Sequence, residues 1–420
     1  MSGGARLLVV GAGQAGVQVA GSARELGWDG PITLIGQERH APYERPPLSK
    51  AFLKGEAAID SLALRTPAFY AQQQIDLVLD EHVTQLHWTG GGAGTATSAS
   101  GRHWAFDRLV LATGAQPRSL QIDGADLDGV LMLRDVRDAE ILARRLTNVT
   151  DLVVIGGGFV GLEVAATATA AGVRTTVVEA APALMNRVVS KATADVVEAA
   201  HSVAGVRILT GVRPRKLCGD GGTVSAVELE DGRELPAQLV LVGVGARPRD
   251  ELARAAGLRC DNGIVVDEYS LTSDDHTLAV GDCANLPDPS PAPQPAPRLR
   301  LESIDNAVEQ ARAAAATLAG HARPYRSVPW FWSDQGALKL QIAGLARVDD
   351  DTVIREDTRL GRTTVLRYRG EHLVAVECVN NPADFLVLRK ALGIRTSLPR
   401  EKAVDTRLSL KMHLAAVSPQ

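Results

Sequence analysis

Two glycine-rich turns govern what this chain can fold into. Leu7-Leu8-Val9-Val10 runs into Gly11-Ala12-Gly13-Gln14-Ala15-Gly16, and 145 residues later Leu152-Val153-Val154-Ile155 runs into Gly156-Gly157-Gly158-Phe159-Val160-Gly161. Each apolar run reads as a buried parallel strand, and each turn leads into a helix-forming stretch. In that setting the first glycine allows a sharp strand-to-helix turn, the second lets backbone approach a pyrophosphate, and the third permits close packing of helix on strand. The helix aims unpaired amides and its positive dipole end at the phosphates, so an anion there needs no lysine. An acidic residue near the end of the following strand completes each pattern. The predicted fold is α/β, with two Rossmann-like dinucleotide-binding domains. Two dinucleotides in one chain suggest hydride passing between a nicotinamide and a flavin.

Length and charge agree with this reading. At 420 residues the chain is too long for one core and suits two or three domains. A net charge of −4 argues against a general nucleic-acid binder, which would carry a strong basic excess. No apolar run approaches the ~20 residues of a membrane span, and the first strand begins too early to leave room for a cleaved leader. The expected location is the cytoplasm. Residues 330–420 carry 14 Lys and Arg against 11 Asp and Glu, and the remainder 31 against 38. A slightly basic tail on an acidic body suits either docking of an acidic partner or ordinary solvated surface.

Cys218, Cys260, Cys283 and Cys378 are far apart and form no CxxC or CxxxxC pair. Flavoenzymes that route electrons through a redox disulfide need two neighbouring thiols, and flavin peroxidases need one reactive thiol beside the flavin. The segment Pro42 to Lys50 has no cysteine, so disulfide-reductase chemistry is disfavoured and the thiols read as reduced, buried filler. No metal site is expected.

Along the chain, the first βαβ unit runs from Leu7 through a helix from about Gln14 to Glu25 and into a strand from Pro31 to Ile35. Gly90 to Gly101, rich in glycine, serine and threonine, reads as a flexible hairpin connection. Phe106 to Gly114 reads as one buried strand ending in small residues, which let a ligand lie across the sheet. Asp151 to Glu179 repeats the βαβ pattern with a strand from Val173 to Val178, Leu239 to Gly243 is another strand, and Thr277 to Asp282 is a strand leading to an acid. The proline-dense segment Pro287 to Pro297 is an extended surface loop. Beyond His321, short strands and one late helix suggest a further domain.

The chain as a whole resembles the FAD-dependent, NADH-linked ferredoxin reductases of bacterial oxygenase systems, the family of the putidaredoxin and aromatic-ring dioxygenase reductases. The resemblance rests on Arg45-Pro46-Pro47-Leu48-Ser49-Lys50, Leu111-Ala112-Thr113-Gly114, the second glycine turn continuing into Leu162-Glu163, Val280-Gly281-Asp282-Cys283, and Trp330-Phe331-Trp332-Ser333-Asp334-Gln335. It implies an FAD-binding domain from 1–115 and 246–325, an NADH-binding domain at 116–245, and a C-terminal α+β domain at 326–420 that contributes to the flavin site and to ferredoxin docking.

The same resemblance assigns residues. Gly11, Gly13, Ala15 and Gly16 hold the FAD pyrophosphate, Arg45 and Arg134 are further FAD contacts, and Val83 is an adenine-side backbone contact. Ala112, Thr113 and Gly114 border the cofactor, Asp282 grips the ribityl chain, and Ile304 approaches the flavin ring through its backbone. Gly156, Gly158, Gly161 and Gly245 belong to the NADH site, where Glu179 takes both ribose hydroxyls and repels a 2′-phosphate. Ala180, Ala181 and Pro182 follow it, so NADH is preferred over NADPH. Lys50 and Glu163 are expected to pair beside the flavin, where an ammonium stabilises charge during hydride transfer. Trp332 with Trp330 is the candidate electron exit, core packing being the competing role.

Two departures stand out. In place of the acid that usually follows the second strand the chain has Gly36-Gln37-Glu38, leaving the FAD ribose to Gln37 or to Glu38, and Asp305 replaces a residue that is often proline or apolar. The implied activity is hydride transfer from NADH to FAD, then single electrons to a [2Fe–2S] ferredoxin that feeds an oxygenase. A Rieske-type aromatic-ring dioxygenase is favoured and a cytochrome P450 comes next. The ferredoxin contact is expected to be transient and partly electrostatic, and the protein a monomer or weak dimer. An NADH oxidase or peroxidase would bring a flavin-side cysteine, and a redox-sensing protein related to apoptosis-inducing factor a large insertion or basic surface. Neither feature is in the sequence.

Overall fold

The computed structural model describes residues 4–290, 297–396 and 398–415, which separate into two compact units. The first is made of the described parts of residues 1–44, 58–116 and 246–327, and the second of 45–57, 117–245 and the described parts of 328–420.

The first unit is built on a five-stranded parallel sheet in the order Leu278–Ala279, Arg108–Leu111, Leu7–Val10, Ile32–Ile35, Ile75–Val78. Its central strand Leu7–Val10 is buried along its whole length, as expected for a strand covered on both faces. Leu7 pairs with Ile32 on one side and with Arg108 on the other. The helix Gln14–Glu25 covers one face with Val17, Val19, Ala20 and Ala23, packed with Leu7, Val9, Leu34 and Val110. Each fully buried valine or leucine there contributes about 1.5–3 kcal/mol. The segment read as one strand from Phe106 to Gly114 is two: His103–Phe106 closes an antiparallel meander with Val83–Gly90 and Ala93–Ser98, and Arg108–Leu111 enters the parallel sheet. Asp107 sits at the break and accepts the Arg6 backbone amide at 2.8 Å and its guanidinium at 2.9 Å.

Ala93–Ser98 also corrects the flexible reading of Gly90 to Gly101. Its small residues alternate half-buried and buried, and a Cβ on Gly94 would lie 2.8 Å from the Phe106 ring. Position 94 takes glycine because the His87 carbonyl, 2.4 Å from that Cβ, and the Phe106 ring leave no room for a side chain. The strand expected from Thr277 to Asp282 is only Leu278–Ala279, followed by a tight turn at Gly281–Cys283. Of the proline-dense loop, residues 291–296 lie outside the described residues, while Asp288 donates its amide to the Pro297 carbonyl.

The second unit repeats the design in the order Arg207–Thr210, Arg174–Glu179, Asp151–Ile155, Leu239–Val242, Val130–Leu131, all parallel. Helices Val136–Leu146 and Phe159–Ala170 share a core with it through Leu142, Leu162, Val164 and Val177. A three-stranded antiparallel sheet, Pro214–Asp220, Thr223–Leu229 and Glu234–Pro236, adjoins it. Residues 330–379 form a five-stranded antiparallel sheet in the order Trp330–Gln335, Leu338–Gly344, His372–Val379, Arg362–Arg369, Asp351–Asp357. Among the described residues three helices follow, Pro382–Gly393, Arg400–Val404 and Leu410–Ala415, where the sequence pattern suggested one. The two extra helices are five and six residues long, too short to show a periodic apolar face.

Candidate functional site

The first glycine turn is fixed by backbone. Gly11 has φ +115°, and a Cβ there would stand 2.1 Å from the Ala112 carbonyl oxygen. A Cβ on Gly16 would stand 1.9 Å from the Gly11 carbonyl and 3.2 Å from Leu34, so the third glycine lets helix and strand touch. At Gly13 nothing lies within 4 Å of that position. The second turn repeats this: Gly156 has φ +108° with the Gly243 carbonyl at 2.4 Å, Gly161 would meet the Gly156 carbonyl at 2.6 Å, and the nearest atom to Gly158 is 4.0 Å away. The middle glycine of each turn therefore faces open space while its neighbours are packed.

The helix caps test whether pyrophosphates fit these turns. Among the described helices longer than ten residues, those beginning at Val136, Lys191, Ile304 and Pro382 are capped by the side chains of Asp135, Ser190, Ser303 and Asn381. The two that follow the glycine turns start at Gly13 and Gly158 with no side-chain cap and no acid in the first turn. Their amides and dipole ends are left for an anion, so the residues present suit a dinucleotide phosphate at both places.

Around the first turn, Ala15 is buried and would lie 3.0 Å from a Cβ on Gly281, so the Gly281–Asp282 turn packs on the glycine-turn helix. Gln310, itself buried, accepts the Gly281 amide at 2.8 Å and holds that turn, and Asp282 is half-buried. Thr113 donates its hydroxyl to the Arg249 carbonyl at 2.6 Å, and the Arg249 amide returns to the Gly114 carbonyl at 2.9 Å, fixing the strand end beyond Ala112. Val83 is buried, and Ile304 starts a helix capped by Ser303. Gln37 is exposed, whereas Glu38 is half-buried and accepts the Tyr43 hydroxyl at 2.5 Å.

Around the second turn, Glu179 ends its strand and accepts the Gly157 amide at 2.6 Å and the Ala181 amide at 2.7 Å. Its carboxylate is thereby held at the glycine turn. Gly245 has φ +104°, receives the Arg118 amide on its carbonyl at 2.9 Å, and would place a Cβ 3.6 Å from the Arg187 guanidinium. Arg118 and Arg187 were not singled out in the sequence, since neither is near Gly245 along the chain.

The same unit holds Arg45 and Lys50. Arg45 donates to the Arg134 carbonyl at 2.7 Å, and the Arg134 amide is held by Asp138 at 2.8 Å. Lys50 Nζ lies 2.7 Å from Glu163 Oε2, with side chains 19 % and 5 % exposed, so water competes little for the pair. Glu163 also accepts the Ser49 hydroxyl on Oε2 and the Ser333 hydroxyl on Oε1, each at 2.5 Å. Ser333 alternates along its strand with the tryptophans. Trp330 and Trp332 stack on one face at 5.3 Å, and Trp330 packs on Phe385 beneath the Arg389 guanidinium, 4.5 Å from its ring. On the other face Phe331 meets Phe159 at 4.6 Å, and Ser333 and Gln335 are buried. Period-two alternation from Trp330 was the signal that could have separated these two sets.

The four thiols are unpaired. Burial pushes Cys260 up to about 11 and Cys378 up to about 12, and raises Cys283 as well. Cys260, Cys283 and Cys378 therefore stay protonated and poor nucleophiles. No group of three or more His, Cys, Asp or Glu able to hold a metal occurs among the described residues, and no described helix is long and apolar enough to cross a membrane.

Two parallel sheets, each opening onto an uncapped glycine-turn helix, define a flavin- and nicotinamide-linked oxidoreductase. The chain belongs to the pyridine nucleotide-disulphide oxidoreductase family, whose model matches residues 5–311, and a reductase C-terminal model matches residues 330–414. It is 41 % identical to rhodocoxin reductase of Rhodococcus erythropolis over 97 % of this chain and 94 % of that one. The ferredoxin reductase for the CYP199A2 system of Rhodopseudomonas palustris superposes with a TM-score of 0.92 at 42 % identity, covering 97 % of this chain and 99 % of that chain. The reductase in a covalent putidaredoxin reductase–putidaredoxin complex superposes with a TM-score of 0.92 at 38 % identity, covering 99 % of both.

Proposed function

We propose that the chain is an FAD-dependent NADH:ferredoxin reductase, which oxidises one NADH to NAD+ and a proton and reduces two molecules of a [2Fe–2S] ferredoxin that feeds an oxygenase. The observation that carries this is the pair of uncapped glycine-turn helices, one in each unit. Bound FAD accepts a hydride and returns electrons singly, which lets a two-electron donor serve a one-electron acceptor.

The chain's own residues take these roles. Gly11, Gly13, Ala15 and Gly16 receive the FAD pyrophosphate, Gln37 or Glu38 its ribose, and Asp282 its ribityl hydroxyls, with Arg45, Val83, Ala112, Thr113, Gly114, Arg134 and Ile304 as further contacts. A carboxylate such as Asp282 accepts sugar hydroxyls strongly. Gly156, Gly158, Gly161 and Gly245 receive NADH, Arg118 and Arg187 supply positive charge at Gly245, and Glu179 selects NADH by accepting ribose hydroxyls and repelling a 2′-phosphate. Lys50 stabilises negative charge as hydride arrives, and Glu163 holds its ammonium in place. Trp332 excludes water and lies on the electron exit, while Trp330 is anchored by Phe385 and Arg389.

The domain reading remains 1–115 with 246–325 for FAD, 116–245 for NADH and 326–420 for ferredoxin docking. Docking is transient and partly electrostatic, the protein is a monomer or weak dimer, and its location is cytoplasmic. A Rieske-type aromatic-ring dioxygenase is the first reading for the oxygenase. A cytochrome P450 is the second, favoured by the relative that serves the CYP199A2 system. NADH-dependent cytochrome c reduction with a panel of ferredoxins tests the function. Turnover that requires a ferredoxin and exceeds oxygen consumption is expected, and equal turnover with oxygen alone contradicts it.

A further inference from the structure

Behind the Lys50–Glu163 pair runs a line of buried polar groups that no role described so far uses. Ser333 is fully buried and donates to Glu163 Oε1 at 2.5 Å. Gln335, 2 % exposed, donates from Nε2 to the Ser333 hydroxyl at 2.7 Å and to the Phe159 carbonyl at 3.2 Å. His201, also 2 % exposed, places Nε2 3.0 Å from Gln335 Oε1, and its Nδ1 has no partner.

The direction of every bond in this line follows from one backbone atom. The Phe159 carbonyl can only accept, so the nitrogen of the Gln335 amide must face it and its oxygen must face His201. The His201 proton is then on Nε2. Burial lowers the affinity of this imidazole for a second proton, which agrees with a single N–H and a bare Nδ1. The Ser333 oxygen accepts the Gln335 N–H, and the hydroxyl donates its own proton to Glu163 Oε1. From His201 through Gln335 and Ser333, all donors point toward one carboxylate. Donors aligned in series polarise one another in a low-dielectric interior.

We infer that His201 and Gln335 are positioning residues: with Ser333 they form a one-way donor chain that fixes Glu163 Oε1 and leaves Oε2 to hold the Lys50 ammonium in its working place. The inference rests on the role proposed above for Lys50. Without the chain, Glu163 is held on Oε2 by Ser49 and Lys50 but loses its anchor on Oε1, so the carboxylate that positions Lys50 is fixed on one oxygen only. Helix Phe159–Ala170 supplies the carboxylate, the strand Trp330–Gln335 supplies Ser333 and Gln335, and the helix Lys191–Val203 supplies His201.

The test uses the FAD-loaded protein mixed anaerobically with NADH in a stopped-flow instrument, with the flavin reduction potential as a second readout. Gln335→Leu is expected to slow the limiting rate of flavin reduction about tenfold, because the Ser333 hydroxyl that bonds the Glu163 carboxylate loses the donor that polarises and orients it, with the NADH dissociation constant unchanged. His201→Leu is expected to slow it about threefold, and His201→Gln, which keeps a donor at the Nε2 position, restores most of that loss. The potential moves negative in Gln335→Leu, because a displaced ammonium stabilises the reduced flavin less.

In the Lys50→Met background, Gln335→Leu has no further effect on rate or potential if it acts through Lys50. An equal effect in both backgrounds, a change confined to NADH affinity, or no rescue by His201→Gln overturns the inference. If Lys50→Met itself leaves rate and potential unchanged, the role of Lys50 falls. If Lys50→Met is slow while Gln335→Leu and His201→Leu match the parent, only the donor chain falls.

Discussion

The two glycine turns of this chain share their backbone and differ at the far end of the nucleotide. Both place a glycine of positive φ against a neighbouring strand's carbonyl, both leave the middle glycine open, and both run into a helix without a cap. At the next strand the likeness ends. In the second unit Glu179 is held by the amides of Gly157 and Ala181, whereas in the first unit Gln37 is exposed and Glu38 is engaged by Tyr43. The first unit instead has the Gly281–Asp282 turn, held by Gln310 and packed on Ala15. The pyrophosphate end is dictated by backbone geometry, which tolerates little variation. The end of the next strand is a side-chain choice, and there the two units differ.

Gly11→Ala and Gly156→Ala give the largest effects and split the comparison most sharply. A Cβ at either position clashes with a carbonyl and sits in a backbone conformation costly for alanine. Gly11→Ala is expected to yield protein with less than about a tenth of its flavin, read from visible absorbance against protein. Gly156→Ala should keep its flavin and fail to be reduced by NADH. Loss of flavin in both would break the assignment of one turn to each cofactor.

Lys50→Met is next, with flavin reduction slowed on the order of a hundredfold at unchanged flavin content, as expected for loss of an electrostatic stabiliser of the transition state. Glu179→Ala follows. It should raise the KM for NADH about tenfold while leaving that for NADPH unchanged or improved, through loss of charge-assisted bonds to ribose. A hundredfold native preference for NADPH would contradict the role of Glu179. Gln37→Asp, which makes the first turn resemble the second, should change FAD affinity by only about threefold, because the first unit holds its ligand at other points as well.

The smallest effect is on stability against pH. Burial lowers the folded pKa of His201 below its unfolded value, so the unfolded chain binds this proton first as acid is added. The contribution is complete above the unfolded value of ~6.5 and is lost as pH falls from there toward the folded pKa. Melting temperatures of His201→Gln should therefore decline less steeply below pH ~6.5 than those of the parent.

What the sequence made legible is what backbone dictates. The glycine turns, the helix Gln14–Glu25, the strands feeding the turns and the place of Glu179 can be read from spacing, because only a few residues satisfy those positions. The strand Ala93–Ser98 was hidden, since Gly94 answers to the His87 carbonyl and the Phe106 ring rather than to local propensity. Asp107 hid a change of sheet for a similar reason, its bonds to Arg6 spanning 101 residues. Ser333, Gln335 and His201 carried no signal as a group: each is an ordinary polar residue until three elements bring them behind Glu163.

Anaerobic mixing of the purified, flavin-loaded protein with one equivalent of NADH tests the central claim most directly. Rapid bleaching of the flavin absorbance, followed by its return on addition of oxidised [2Fe–2S] ferredoxin, is the result the two-nucleotide reading requires. A protein that cannot be loaded with flavin, or whose flavin stays oxidised in the presence of NADH, contradicts it.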